Sequence, residues 1–414
     1  MIPIIISIAL ILTDFAPGFG FAGGGGSSSG GGSSSSSGGS SSWSSSSSSY
    51  SGDSDDDPLE ALITVAIFFF ILWLVSRKVD KNYRLNTRKL NSQEKLVSEE
   101  AKKIFVSYQS DWSEMNTENI ATYTTPEYNK HACLMLDALR DLHRKNQISN
   151  LKVHSATPIE RLSDKTTYPT NVRVDFCFSG LDEVIDTRDN KKLYRDNAGN
   201  IHETWNFIFD GTNLNLSGIS QPTESARHLI RSLADFAKEN QLFYSPDWGR
   251  YALPTRGLIF GGSSMRVADI NNHIIGQWQD LLIQLYTYAP TPGNPAGYYL
   301  VGQIHTPKDY LGVIVKSKKY ETRLKPDKTY DKFEMEWPEF NERYEVYAAS
   351  RDALPAFELL NPKFMEYLYD KNLSYNLEVV DNVIYIFANV SRITENGYAE
   401  LLEVLRLAHK ELKM

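Results

Sequence analysis

Cysteine is almost missing from this chain: two in 414 residues, Cys133 and Cys177. That is too few for a disulfide framework and suits a reducing, cytoplasmic compartment, where both would be small buried hydrophobes. A basic excess is missing too. Forty-three Lys and Arg stand against fifty-one Asp and Glu, for a net charge of -8. The basic residues are scattered, which argues against a nucleic-acid partner, because phosphate recognition needs a basic face. No G-x-S-x-G is present, and no His, Cys or carboxylate cluster has metal-ligand spacing. We therefore expect no catalytic residue, no cofactor-binding residue and no metal.

Residues 59–76, LEALITVAIFFFILWLVS, form an apolar run that at 1.5 Å per residue spans roughly 27 Å, close to one hydrocarbon core. Three Phe, a Trp and the lack of a polar face identify it as a transmembrane helix rather than a buried soluble one. Asp53, Asp55, Asp56 and Asp57 precede it, while Arg77, Lys78, Lys81, Arg84, Arg88 and Lys89 follow. The positive-inside rule then places the long C-terminal part in the cytoplasm. The same six bases, in a juxtamembrane linker over 77–91, can attract anionic lipid.

Ahead of this span, residues 1–22 read as a signal peptide or uncleaved signal anchor: MIPIIISIALIL is too short to span, and Gly20-Phe21-Ala22 offers small residues for cleavage. The n-region lacks Lys and Arg. Residues 23–57 are almost wholly Gly and Ser up to the acidic run, a composition that cannot offset its ordering entropy and predicts a disordered segment outside the membrane. Trp43 and Tyr50 could serve there as adhesive stickers on what is otherwise a spacer.

The first folded domain is expected over 92–221. Leu96, Ala101, Ile104, Phe105 and Tyr108 predict a helix with Ser98 to Glu100 near its first turn. A long helix follows from Pro126 to Lys145, its apolar stripe Tyr128, Ala132, Met135, Leu136, Leu139 and Leu142, its charged face Arg140, Asp141 and Arg144. Then the period changes to two in LKVHSATPIERL, TNVRVDFCFSG, IHETWNFIFDG and LNLSGIS, as in strands covered on one face. Helices followed by a curved antiparallel sheet make an α+β class.

Here the residues carry a resemblance. Tyr108, Gln109 and Trp112, then Thr124-Thr125-Pro126-Glu127, Asn150-Leu151, and Glu203 with Trp205 resemble the C-terminal domain family of the 44-kDa subunit of the mitochondrial inner-membrane translocase, which has bacterial membrane-anchored relatives. The likeness covers about 92–221. It implies a nuclear-transport-factor-2-like cone around an apolar pocket, and a role at a membrane surface rather than catalysis. LNLSGIS lacks the Trp often found in that strand, so the floor of the pocket is expected to differ.

A second α+β domain is expected over 222–414. TESARHLIRSLADFAKENQ predicts an amphipathic helix capped by Thr223. Strands are expected at Leu258 to Phe260, His273 to Trp278, Leu281 to Tyr288, Gly297 to Ile304 and Tyr310 to Lys316, with Pro290-Thr291-Pro292-Gly293 as a turn. Glu339-Phe340, Val346-Tyr347 and Leu359 to Met365 resemble the end of a bacterial domain family of unknown function, over about 318–387. LEVVDNVIYIF predicts a hairpin turning at Asp381-Asn382, and a last helix is expected from Glu395 to Leu412.

Other candidates for chemistry are few. His131 and Cys133 stand two apart on a helix and point to different sides. Ile201-His202-Glu203-Thr204 lacks the second His of a zinc helix, leaving an edge-strand His. Phe260-Gly261-Gly262-Ser263-Ser264 has no phosphate-loop Lys. Cone folds also host isomerases and lyases, for which Asp175 and Asp210 are the strand carboxylates to test, each expected to face solvent. Three Asn-x-Ser sequons, at Asn215, Asn372 and Asn389, would fit an exported C-terminal part instead.

The sequence thus favours a membrane-tethered, non-enzymatic binding or scaffold module at the cytoplasmic face of the inner membrane, docking a protein, lipid or apolar segment, over a cone-fold isomerase or lyase with an apolar pocket. External protease applied to spheroplasts is expected to remove the Gly/Ser segment and leave everything after Arg77 intact; digestion of the C-terminal part would reverse the orientation.

Overall fold

The computed structural model describes residues 89–163, 165–220, 230–246, 257–260, 270–288, 298–319, 326, 328–371, 374–390 and 393–411. The signal segment, the Gly/Ser run, the apolar span at 59–76, the basic residues from Arg77 to Arg88, the Thr223 cap and the turns at Gly261 and Pro290 lie outside the described residues. Among those described, no helix is long and apolar enough to cross a membrane.

The class is α+β with antiparallel sheets. Helix α1 spans Ser92–Glu114. Its start is set six residues before the expected turn by a capping box: Glu94 N donates to Asn91 Oδ1, and Asn91 N donates to Glu94 Oε2. A short helix α2, Thr117–Ala121, leads to α3, Pro126–Asp141, which opens on a Thr125 cap with Pro126 in its first turn. The expected run to Lys145 stops at Asp141, because His143 turns left-handed at φ +52° and Arg144 already begins the sheet. Arg144 was expected on the solvent face of the helix; it is fully buried instead.

Four strands follow in spatial order β1 to β4: Arg144–Pro158, Thr170–Asp186, Lys192–Phe209 and Leu214–Ser220. The α2–α3 loop extends this sheet, with Thr125 N donating to Leu216 O and Leu216 N donating to Tyr123 O. Between α1 and the sheet lies an aromatic centre. Phe105 stacks on Phe176 at 4.6 Å and leans on Phe178 and Trp205, while Tyr108 meets Trp205 edge-on at 5.4 Å. Trp112 is as deeply buried, and its Nε1 donates to Asn146 Oδ1. These rings fill the interior where the resemblance implied an apolar pocket.

A second, seven-stranded sheet follows α4, Arg231–Glu239. Its strands are β5 Phe243–Ser245, β6 Ile270–Trp278, β7 Leu281–Tyr288, β8 Tyr298–Ser317, β9 Tyr330–Phe333, β10 Tyr344–Ala349 and β11 Asn376–Val390. Three expectations are corrected here. Leu258–Phe260 is a 3-10 turn, its Leu258 N–H donating to the buried Glu378 carboxylate. The two strands expected between Gly297 and Lys316 are one 20-residue strand, β8. Asp381-Asn382 is no hairpin turn: both halves of β11 pair with β8, and Asp381, left-handed at φ +51°, sits in a bulge.

β8 is the spine. Along one edge it keeps β11; on the other it pairs first with β7, through Ile304, and later with β10, from Val313. Pro307, which has no N–H to give a ladder, falls in the gap. One face of this sheet packs Ile274, Leu285, Leu300 and Ile386 in a cluster with Leu401 and Leu405 of α8, Glu395–Glu411. The helix approaches closely at Gly302, where a Cβ would stand 3.0 Å from Leu401 Cγ. The opposite face, with Tyr286, Tyr288, Tyr299, Val301, Tyr385 and Phe387, belongs to the same apolar cluster as Phe105 and Trp205. Short helices α5 Pro338–Arg343, α6 Ala353–Leu359 and α7 Pro362–Asp370 complete the described structure.

Removing the ring at the aromatic centre should be costly because that space cannot collapse. Phe105→Ala is expected to lose about 3–5 kcal/mol, read as a lower denaturant midpoint at unchanged slope; a loss below about 1 kcal/mol would show a looser interior than described.

Candidate functional site

Three polar groupings stand out against this apolar frame. On the outer face of the first sheet, Cys177 lies in register with His202, and Asp175 Oδ2 is 3.5 Å from His202 Nδ1. The residue types suggest a nucleophile, a base and its orienter. The electrostatics point the other way: burial first, then Asp175, push the Cys177 thiol above its ordinary range, and Asp175 raises the imidazole. A thiol so placed is held protonated and unreactive. His202 lies on β3, an inner strand, not the edge strand expected.

The carboxylates chosen from the sequence divide. Asp175 is half-buried beside His202, and Asp210 is exposed, accepting from Thr212 N and Asn213 N in a turn. Glu203, not chosen from the sequence, is a strand carboxylate that turns inward beneath α1. It is fully buried and accepts from Trp205 Nε1 at 2.9 Å. Its neighbours in the alternating pattern, Ile201 and Trp205, both inward, were the signal that could have found it.

The second grouping is a seam where α3 lies on the second sheet. Leu134 and Ala138 of α3 cluster with Ile275 and Leu282, and Phe243 packs against them. The His131 ring stacks on Phe243 at 4.9 Å with only 4° between planes. Cys133 is elsewhere on the helix, partly buried, its Sγ 3.8 Å from Asn129 Oδ1. Beneath the seam, His273 Nε2 donates to Gln284 Oε1 at 2.9 Å, and Tyr286 Oη donates to Gln303 Oε1 at 2.8 Å. Burial drives both imidazoles far down, His131 to about 4 and His273 to about 3.

The third grouping is an open cleft of about 540 Å³ at the end of that seam, within the range of small-ligand sites. The C-terminus of α3 brings Arg140 and Asp141, and the β2–β3 turn brings Arg188. The middle of β8 supplies His305, Asp309 and Tyr310, and β11 supplies Asp381, at its bulge, and Tyr385 beyond it. His305 Nδ1 stands 3.5 Å from Asp141 Oδ2, with only 9% of its side chain exposed. Burial lowers the imidazole and raises the carboxyl, so at neutral pH the ring is uncharged. Arg188 is engaged by Asp186, whose carboxyl it holds at about 2. Among the described residues no three His, Cys, Asp or Glu side chains are grouped to hold a metal ion.

No protein-family model matches this chain, and no curated protein matches it. A crystal structure of the mycobacterial trehalose monomycolate transport factor A is similar over 44% of this chain and 93% of that chain, at 13% identity and a TM-score of 0.32, too slight a likeness to bear on function.

Because His131 and His273 are neutral when folded and titrate near 6.5 when unfolded, the unfolded chain binds more protons between those values. Their stabilisation is full above about pH 6.5 and is lost as the pH falls towards the folded values. Between pH 7.5 and pH 5 the unfolding free energy is expected to fall, on the order of 2 kcal/mol for His273, read as a lower denaturant midpoint. H131F, which keeps the stack on Phe243, should shrink that difference; an unchanged pH profile would remove His131 from the account.

Proposed function

We propose that this chain is a membrane-tethered, non-enzymatic binding module that holds its folded α+β body at the cytoplasmic face of the inner membrane. In this reading 59–76 is the single span, with the Gly/Ser segment outside. The bases from Arg77 to Lys89 lie against anionic lipid, and the first sheet with α1 to α3 forms a nuclear-transport-factor-2-like cone. The observation that carries it is where the chain spends its space. The interior beneath α1 is filled by Phe105, Phe176, Phe178 and Trp205, and the inward carboxylate of Glu203 is tied to Trp205. The open cleft lies outside that interior, between α3 and the second sheet. Such an arrangement suits holding a partner over converting a substrate.

The runner-up is a cone-fold isomerase or lyase, which the buried Glu203 would support. A carboxylate enclosed by packed rings would need a neighbouring pocket to meet a substrate.

A proximity-labelling enzyme fused after Met414 tests the tethered reading in intact cells. Labelling is expected on cytoplasmic and inner-membrane neighbours, and to be the same in Glu203→Gln. Labelling confined to exported proteins, or a pattern abolished by that conservative change in a folded chain, would overturn it.

A further inference from the structure

The second sheet ends on a short edge. β5 has three residues, Phe243 to Ser245, and pairs with β6 alone. Strand alternation puts Phe243 and Ser245 on the face that α3 covers, and each stands against a histidine there. The His131 ring stacks on Phe243, and His273 is the register partner of Ser245. The residues that Phe243 packs on, Leu134, Ala138, Ile275 and Leu282, form a cluster of their own, far smaller than either main core. A three-residue edge held by so few apolar contacts is where a fold opens first.

Nothing on this face offsets an added positive charge. β5, β6 and β7 contain no carboxylate. What they bring to the rings is Tyr286, centred 6.2 Å from His273, and the Gln284 carboxamide, 2.9 Å from His273 Nε2. From α3, Tyr128 meets His131 edge-on at 6.5 Å, and Lys130 Nζ stands 6.0 Å from the centre of the Phe243 ring. The α3 carboxylates nearest in sequence do not pair with His131: Glu127 is exposed, and Asp137 holds Arg140. On α4, behind β5, Asp235, Lys238 and Glu239 are exposed. His131 Nε2 is covered and has no partner. Burial keeps both rings neutral, and a charge on His131 opposes one on His273. The far end of α3 behaves oppositely. There His305 stands 3.5 Å from the Asp141 carboxylate, so a proton taken up is met by an anion.

We propose that β5 is an acid-released edge: protonation of His131 and His273 parts it from α3 and β6 and uncovers Leu134, Ala138, Ile275 and Leu282, while the Asp141 end of α3 stays seated. The device goes beyond the binding role and depends on neither the membrane span nor its orientation.

Hydrogen–deuterium exchange on the full chain in nanodiscs, at pH 7.5 and pH 5 and corrected for the intrinsic rate, tests it. A ring that regains its ordinary basicity on opening shifts the opening equilibrium by about thirtyfold at pH 5. Peptides covering β5 and β6 are therefore expected to exchange roughly tenfold or more faster at pH 5, with α1 and β2 unchanged. H131F keeps a ring on Phe243 without a proton to gain, and is expected to cut that acceleration several-fold; H131Q serves the same purpose should H131F fail to fold. No acceleration at β5, an acceleration undiminished in the folded variant, or α1 and β2 accelerating as much as β5 would overturn the proposal.

Discussion

Helix α3 must satisfy two cores at once, and much of the arrangement follows from that constraint. On one side Met135, Leu136 and Leu139 enter the cluster around Phe105 and Trp205; on another, Leu134 and Ala138 seat on Ile275 and Leu282 of the second sheet. A helix apolar on two flanks has only a narrow strip left for solvent. Its residues there are short or long and polar, such as Asn129, Asp137 and Arg140. The helix can end only where the chain can reverse without exposing either flank. His143, left-handed, makes that reversal and drops Arg144 into the interior. The guanidinium remains a cation there, held down to about 10 by burial but helped by Asp186 and Tyr385.

The second sheet answers the same demand. β6, β7, β8 and β11 are apolar on both faces because one face carries α8 and the other continues the first core. Polar side chains within it are consequently paired to one another across strands: His273 with Gln284, Tyr286 with Gln303, and Tyr398 of α8 with the Asn272 carbonyl. Pairs of this kind contribute little net stability, but a shifted register would leave each partner buried and unmet. They fix which residues of β6, β7 and β8 lie opposite.

The antiparallel α+β class and most elements were legible from periodicity, because single-faced strands such as β2 and β3 alternate cleanly and α8 keeps its stripe. The failures have physical causes. Thr306-Pro307-Lys308-Asp309 looks like a break, and the missing N–H of Pro307 does interrupt a ladder. Yet β11 on the other edge carries β8 straight through. Asp381-Asn382 suits a tight turn because Asp tolerates a left-handed backbone, and a bulge asks for the same thing. Nothing local tells the two apart; only the uninterrupted partner strand does. The Asn91 and Glu94 box was readable by spacing but lay outside the apolar stripe that drew attention. His305 and Asp141 stand 164 positions apart, and no spacing argument reaches across two sheets.

Three of the misread places border the cleft. The gap opposite Pro307, the bulge at Asp381 and the reversal at His143 each interrupt a regular element, and an interrupted element leaves backbone and side chains without neighbours. The three interruptions lie side by side, so the space they leave is shared. Regular packing elsewhere makes this possible: β8 cannot shift to close the gap while Gly302 is clamped under Leu401 and Gln303 is tied to Tyr286. A cleft held open by rigid surroundings needs little rearrangement to accept a ligand.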